Sequence, residues 1–285
     1  MAVATARTRH TRSPGRDHGI TPGILYTMHK MGVDKIYCVG GAQAIGALAF
    51  GTESIRAVDL VVGPGNQFVM EAKRQVFGTV GIDFLAGPSE CMVIADHTAR
   101  ADYIAADLLA QCEHDPNARG SLVTTSEALA HETLREIDRQ LRERTTEEVA
   151  RASWENKGIV VVVESLADAA RYANEYAPEH LEIHTAAPRQ LLAQLRHYGS
   201  LFLGQNTAEV YADKIAGPNH ILPTGGAARY TGGLWVGMFM KVITHMEVDV
   251  AASLRLARYS QTQSTCEGMD AHRYAAAIRL KTLQP

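Results

Sequence analysis

Short β-branched or apolar runs alternate with amphipathic stretches along most of the 285 residues, and this alternation limits the possible folds more than any other feature. "KIYCVGG" (35–41) reads as a buried strand leading into a helix over "AQAIGALAF". "AVDLVVGPGN" (57–66) reads as a strand and turn leading into the helix "QFVMEAKRQVF". "CMVIAD" (91–96), "SLVTT" (121–125), "GIVVVV" (158–163), "HLEIHT" (180–185) and "GSLFLG" (199–204) continue the series of strands. Runs of this length bounded by turn residues suit strands buried on both faces. The clearest helix is "SEALAHETLREIDRQLRER", with Ser126 placed to cap it. A strand–helix–strand order of this kind predicts an α/β fold of parallel, Rossmann-like sheets with helices on their faces. Beyond about residue 246 only helical patterns remain, "DVAASLRLARYSQ" and "HRYAAAIRLKTL", which predicts a helical C-terminal appendage.

Composition removes several partner classes. A hydrophobic fraction of 46% with 21% charged residues is that of a globular chain with a large core. The formal charge of −3 gives no electrostatic case for nucleic acid or an anionic membrane. No apolar run approaches the roughly 18 residues of a membrane span. The start, "MAVATARTRHTRSPGRDHG", is Arg-rich but lacks the apolar segment of a secretory signal. Its composition admits a transit peptide, and a polar lead-in to the first helix is the simpler reading. Cys38, Cys91, Cys112 and Cys266 form no C-x-x-C pair, a usage that fits the reducing cytoplasm. Cys38 and Cys91 sit in apolar runs, where a buried thiol is expected.

Polar residues that suit chemistry fall in a few stretches, each with an ordinary explanation beside the functional one. The turns "VGGAQAIGAL" and "VVGPGNQFV" bring glycines to the starts of helices, where backbone N–H groups favour a phosphate. Neither matches G-x-G-x-x-G, and tight strand–helix turns need glycine anyway. In "LLAQCEHDPNA" the helix from near Arg100 buries Ile104, Ala105, Leu108, Leu109 and Cys112. Gln111 and His114, three apart, project together from its last turn and offer an amide oxygen and an imidazole to a metal. A histidine there also complements the helix dipole. "YADKIAGPNHILPTGGAARYTGG" (211–233), rich in Gly and Pro, is a shaped loop carrying Asp213 and His220. "CEGMDAHRY" (266–274) carries Glu267 and His272, which share a helix face only if Glu267 precedes the helix. "YAPEHLEIH" (176–184) sets Glu179 beside His180. Neighbours on a strand or helix point apart, so the two are not expected to pair, and separate roles would explain them.

In order, "GGAQAI", "GPGN", "AGPSE", "QCEHD", "YAPEHLEI", "GPNHILPTGG" and "EGMDAH" resemble the signature blocks of histidinol dehydrogenases, over about residues 20–285. Members of that family contain zinc, use NAD, and oxidise an amino alcohol through its aldehyde to the acid. The resemblance implies zinc ligands at Gln111, His114, Asp213 and His272. It implies a general base at His180 and a water activator at Glu179. Substrate contacts fall on Ser89, Glu267, His180 and the zinc ligands, with His220 close by, and NAD contacts fall on Gln43 and Asn66. It further implies a small-molecule amino alcohol as partner and an intertwined homodimer, in which Glu267 and His272 complete the neighbour's site. On this reading residues 1–90 form an α/β domain on the nucleotide side. Residues 91–245 form an α/β domain, lacking its first half, that carries most of the zinc site, and 246–285 form the helical segment.

The chain departs from that pattern in two respects. It looks N-terminally short of the family, without the part that supplies half of one domain and a tyrosine contacting NAD. The segment "RYTGGLWVGMFMKVITHMEV" (229–248) looks more like relatives that oxidise sulfonated diols such as 2,3-dihydroxypropane-1-sulfonate. Besides histidinol oxidation, the sequence therefore leaves open the same chemistry on a sulfonated diol, and a non-catalytic remnant. A zinc hydrolase is disfavoured by the absence of H-E-x-x-H.

Overall fold

The computed structural model describes residues 2–4 and 20–283, so most of the Arg-rich lead-in lies outside the described residues. The chain divides into two compact units, Met1–Phe239 and Met240–Pro285. The first opens with two small parallel pairs. Strand β1 (Ala2–Ala4) pairs with β2 (Lys35–Tyr37), and helix α1 (Pro22–Lys30) lies between them in the chain. Helix α2 (Gly41–Phe50) precedes β3 (Leu60–Val61), which pairs across α3 (Gln67–Val76) with β4 (Gly81–Ile82). These elements share a small core of Ile45, Ala49, Val61, Val76 and Val80.

A five-stranded, wholly parallel sheet forms the centre of the unit, in the order β7-β6-β5-β8-β9. Its strands are β5 (Glu90–Ala95), β6 (Arg119–Thr124), β7 (Ile159–Val162), β8 (His180–His184) and β9 (Ser200–Leu203). Helix α4 (Ala101–Cys112) connects β5 to β6, α5 (Glu127–Leu141) and α6 (Glu147–Lys157) connect β6 to β7, and α7 (Leu166–Tyr176) carries the chain across to β8. After β9 comes the short α8 (Glu209–Lys214). The strands expected from residue 91 onward are all present, and Ser126 caps α5 by accepting from the Leu129 N–H.

The alternation within the two central strands decides what each face holds. From β5, Cys91, Val93 and Ala95 pack under α4 with Ile104, Ala105, Leu108 and Cys112. Met92 and Ile94 point the other way, joined by Leu181 and Ile183 of β8 against Ala169, Ala170 and Ala173 of α7. In β8 the other half of the alternation is polar. His180, Glu182 and His184 are all buried on the face opposite Leu181 and Ile183.

Two expectations are corrected here. Cys38 is exposed, not buried, because β2 ends at Tyr37. The run 211–233 is not loop throughout, since its start belongs to α8 and Ala227–Arg229 forms a turn of 3-10 helix. The second unit consists, by itself, of α9 (Val250–Cys266) packed against α10 (Asp270–Leu283), the helical pattern read from the sequence. Among the described residues no helix is long and apolar enough to cross a membrane.

Candidate active site

Parallel α/β sheets usually bind ligands at the carboxyl ends of their strands. Here the polar residues gather at the opposite edge. Ser89 precedes β5, His180 opens β8, and α4 runs back from the far edge to deliver Gln111 at its end and His114 just beyond. Together with Glu179, Glu209, Asp213 and His220 they line a cavity of about 230 Å³. Six residues singled out from the sequence, Ser89, Gln111, His114, Glu179, His180 and Asp213, are thus brought together from four separate segments, with His220 beside them.

Glu179 and His180 meet, contrary to the expectation that neighbours would point apart. Ala177 ends α7 in the left-handed conformation (φ 56°), and Glu179 lies in the bend before β8 rather than within it. Glu179 Oε2 therefore comes within 3.6 Å of His180 Nδ1. Both are held by one residue of the neighbouring strand. The Glu90 N–H donates to Glu179 Oε2 at 2.9 Å, and His180 Nδ1 lies 2.9 Å from the Glu90 carbonyl oxygen. That carbonyl can only accept, so the Nδ1–H donates and Nε2 keeps a free lone pair. Gly199 makes room for this bend, since a Cβ there would lie 2.6 Å from the Glu179 carbonyl oxygen.

Burial sets the protonation of the pair. It pushes the Glu179 carboxyl up to about 8, with the charges of Glu90 and Glu209 adding to it and the Glu90 N–H opposing. Burial also holds the His180 imidazole down at about 4, although the Glu209 carboxylate pulls the other way. At neutral pH His180 is a neutral base. Burial resists ionisation of Asp213 as well, but the hydrogen bond and charge of Lys214, with His220 and His114 nearby, keep its carboxyl below the usual range.

The donor set suits a metal ion. Both amide atoms of Gln111 are buried without a hydrogen-bond partner while lining a polar cavity, a costly arrangement unless a ligand satisfies them. His114 and Asp213 add nitrogen and oxygen donors of the kind zinc takes. Among the described residues two further groups could hold a cation: His180, Glu209 and His220 in the cavity, and Asp107, Glu182 and His184, of which Glu182 and His184 are buried.

The sequence profile of the histidinol dehydrogenases matches residues 2–280. The chain belongs to the histidinol dehydrogenase family. A relative from Shouchella clausii named "Histidinol dehydrogenase homolog" is 45% identical over 99% of the chain and 68% of its own length. "Histidinol dehydrogenase 1" of a Nostoc strain is 46% identical over 94% of the chain and 62% of its own length. The crystal structure of histidinol dehydrogenase from Elizabethkingia anophelis superposes with a TM-score of 0.84 at 37% identity, covering 95% of the chain and 62% of that structure. The chain thus spans about two thirds of the length of these histidinol dehydrogenases.

The remaining residues that the histidinol dehydrogenase resemblance singles out lie elsewhere. Gln43 is exposed in the first turn of α2, whose N-cap, Gly40, leaves the helix without a side-chain cap. Asn66 caps α3, its Oδ1 accepting from Phe68 and Val69, which leaves its Nδ2 donors for a ligand. Glu267 and His272 belong to the second unit. Glu267 caps the end of α9 and so does precede α10, and both residues are exposed on that unit.

Two contributors to the site escaped the sequence reading. Glu209 sits between two imidazoles, 3.2 Å from His220 Nε2 and 3.7 Å from His180 Nε2. Its four-residue spacing from Asp213 is a helical signal, but the Gly- and Pro-rich pattern from 211 puts Asp213 in a loop and leaves Glu209 before it. Glu90 acts through its backbone, for which side-chain chemistry gives no clue.

Proposed function

We propose that the chain carries the catalytic site of a zinc- and NAD-dependent enzyme of histidine biosynthesis that oxidises L-histidinol through the aldehyde to L-histidine. The observation that carries this reading is a buried His180 whose Nδ1 is engaged by the Glu90 carbonyl and whose Nε2 is free, beside Glu179, both lining one cavity with the orphaned Gln111 amide. Gln111, His114 and Asp213 would hold the zinc, with His272 as fourth ligand. When bound, zinc fixes and polarises the substrate's polar groups and NAD accepts hydride. His180 Nε2 takes the hydroxyl proton as the adjacent C–H departs with its electron pair. Glu179 takes a proton from water as its oxygen adds to the aldehyde carbon. The protonated His180 returns its proton to the carbonyl oxygen as the water adds, and, neutral again, deprotonates the resulting hydrate for the second oxidation. Four electrons leave the substrate carbon, so each alcohol reduces two NAD. Ser89 and Glu267 contact the substrate. On the nucleotide side, the uncapped start of α2 beside Gln43 and the free Nδ2 of Asn66 suit the cofactor.

The likeness of segment 229–248 to relatives that oxidise sulfonated diols supports a second substrate, a sulfonated diol oxidised by the same residues. NADH formation by zinc-loaded protein with amino and sulfonated alcohols separates the two readings, and silence with every alcohol would contradict both. The reading includes a cytoplasmic homodimer whose subunits exchange His272. Co-refolding His114→Ala with His272→Ala chains should then restore roughly a quarter of the zinc sites, by statistical pairing in a two-fold dimer. No recovery in demonstrated heterodimers would place His272 in its own chain's site.

A further inference from the structure

We propose that Glu182 is a positioning residue, a cap supplied by strand β8 that fixes helix α8 and with it Glu209 and Asp213. The inference rests on the dehydrogenase reading of the cavity and concerns how that cavity is held together.

Helix α8 needs an outside cap. It has only six residues, its N-cap position is Ala208, and no side chain of its own segment caps it. The Thr207 hydroxyl, the nearest polar group in sequence, donates to the Leu203 carbonyl oxygen instead. The Glu209 N–H is buried and would be an orphan donor, which costs about 1–3 kcal/mol in general. Glu182 Oε1 accepts it at 3.0 Å from a strand 27 residues earlier. The Glu182 side chain is fully enclosed. His184 Nε2 lies 2.9 Å from Glu182 Oε2 without hydrogen-bond geometry, and an Asp107 oxygen of α4 lies 3.9 Å from the same imidazole nitrogen.

Geometry then links the cap to the chemistry. His180 and Glu182 are two residues apart on β8 and project from the same face. One rigid strand therefore places the base directly and places Glu209 and Asp213 through the cap. The Glu209 carboxylate in turn lies between His220 and His180. An apolar residue at 182 would pack as its neighbours do and avoid the burial of a carboxyl, but it would release α8.

Hydrogen exchange and kinetics test the proposal together. In wild-type protein the Glu209 amide should be protected by at least ~100-fold relative to an open peptide, because its bond is buried. Glu182→Asp, one methylene too short, and Glu182→Leu should lose most of that protection. They should lower kcat by ~10- to 100-fold and weaken zinc binding, with KM for NAD unchanged. Glu182→Gln keeps an oxygen in reach and should recover most of both losses, a rescue that a role for the carboxyl's charge or proton would not give. An unprotected Glu209 amide in wild type overturns the proposal, even if the variants do not fold. So do Asp and Leu variants with normal Glu209 protection and kcat. If wild type oxidises no alcohol, the dehydrogenase reading fails, while exchange at Glu209 still decides whether Glu182 is the cap.

Discussion

At the scale of single residues, the proposed chemistry depends on proton affinities set apart in adjacent groups. His180, held down at about 4, stays neutral across pH 6–9 and needs no titration to act as base. Glu179, pushed up to about 8, is protonated below that pH and can accept a proton from water only above it. Oxidation of supplied aldehyde should therefore rise tenfold per pH unit below about 8 and level off above. His180 imposes no such limb on the alcohol step in the same range. Glu179→Gln should lower aldehyde oxidation by ~10²–10⁴-fold and remove the limb, and His180→Asn should slow the alcohol step by a similar factor. Stopped-flow NADH traces with each substrate measure both. A Glu179→Gln protein that oxidises aldehyde at the wild-type rate would remove the water-activating role.

At the scale of elements, the site depends on how α7 hands the chain to β8. The left-handed Ala177 and the Cβ-free Gly199 let Glu179 leave the strand line and join His180. Gly199→Ala would drive a methyl into the Glu179 carbonyl oxygen, 2.6 Å away, so one of the two segments must shift. The variant should fold with a modestly lowered Tm yet lose ~10²-fold in kcat, the usual cost of misplacing a reacting group by about 1 Å. A crystal structure of the variant with Glu179 unmoved and kcat intact would contradict this. The same junction shows what the sequence could and could not say. The strands from residue 91 onward and the buried stripe of α4 were legible because period-2 and period-3.6 patterns follow directly from burial. "HLEIH" held a further clue, an alternating strand in a central position whose polar half could not reach water. The meeting of Glu179 with His180 was not legible, because it depends on one backbone conformation at Ala177. The helix around Glu209 was missed because its cap comes from Glu182, far away in sequence, and Cys38 was misjudged because burial depends on strand length and neighbours.

At the scale of the whole molecule, the buried acids couple stability to pH. Burial raises Asp107 to about 8, with the Glu182 charge adding to it, raises Glu182 to about 7, and raises Glu179 to about 8. Each folded-state value exceeds that of an open chain, so the folded state holds extra protons, and stability is lost as pH rises through 7 and 8. His180 and His184, both lowered by burial, act with the opposite sign, their contribution being complete above about 6.5. Between pH 6.5 and 8.5 only the carboxyls count, so Tm of metal-free protein should fall across that range. Calorimetry should show a flatter profile for Glu182→Gln, and a Tm that rises with pH in wild type would refute the assignment. The central claim is that one cavity, built at the amino edge of the sheet, performs two successive oxidations with its own base and its own water activator. The ratio of NADH formed to L-histidinol consumed by the zinc-loaded protein tests it most directly. The account predicts two NADH per histidinol in wild type and a ratio approaching one, with aldehyde released, in Glu179→Gln. No NADH from histidinol, or a ratio of two in both proteins, would contradict it.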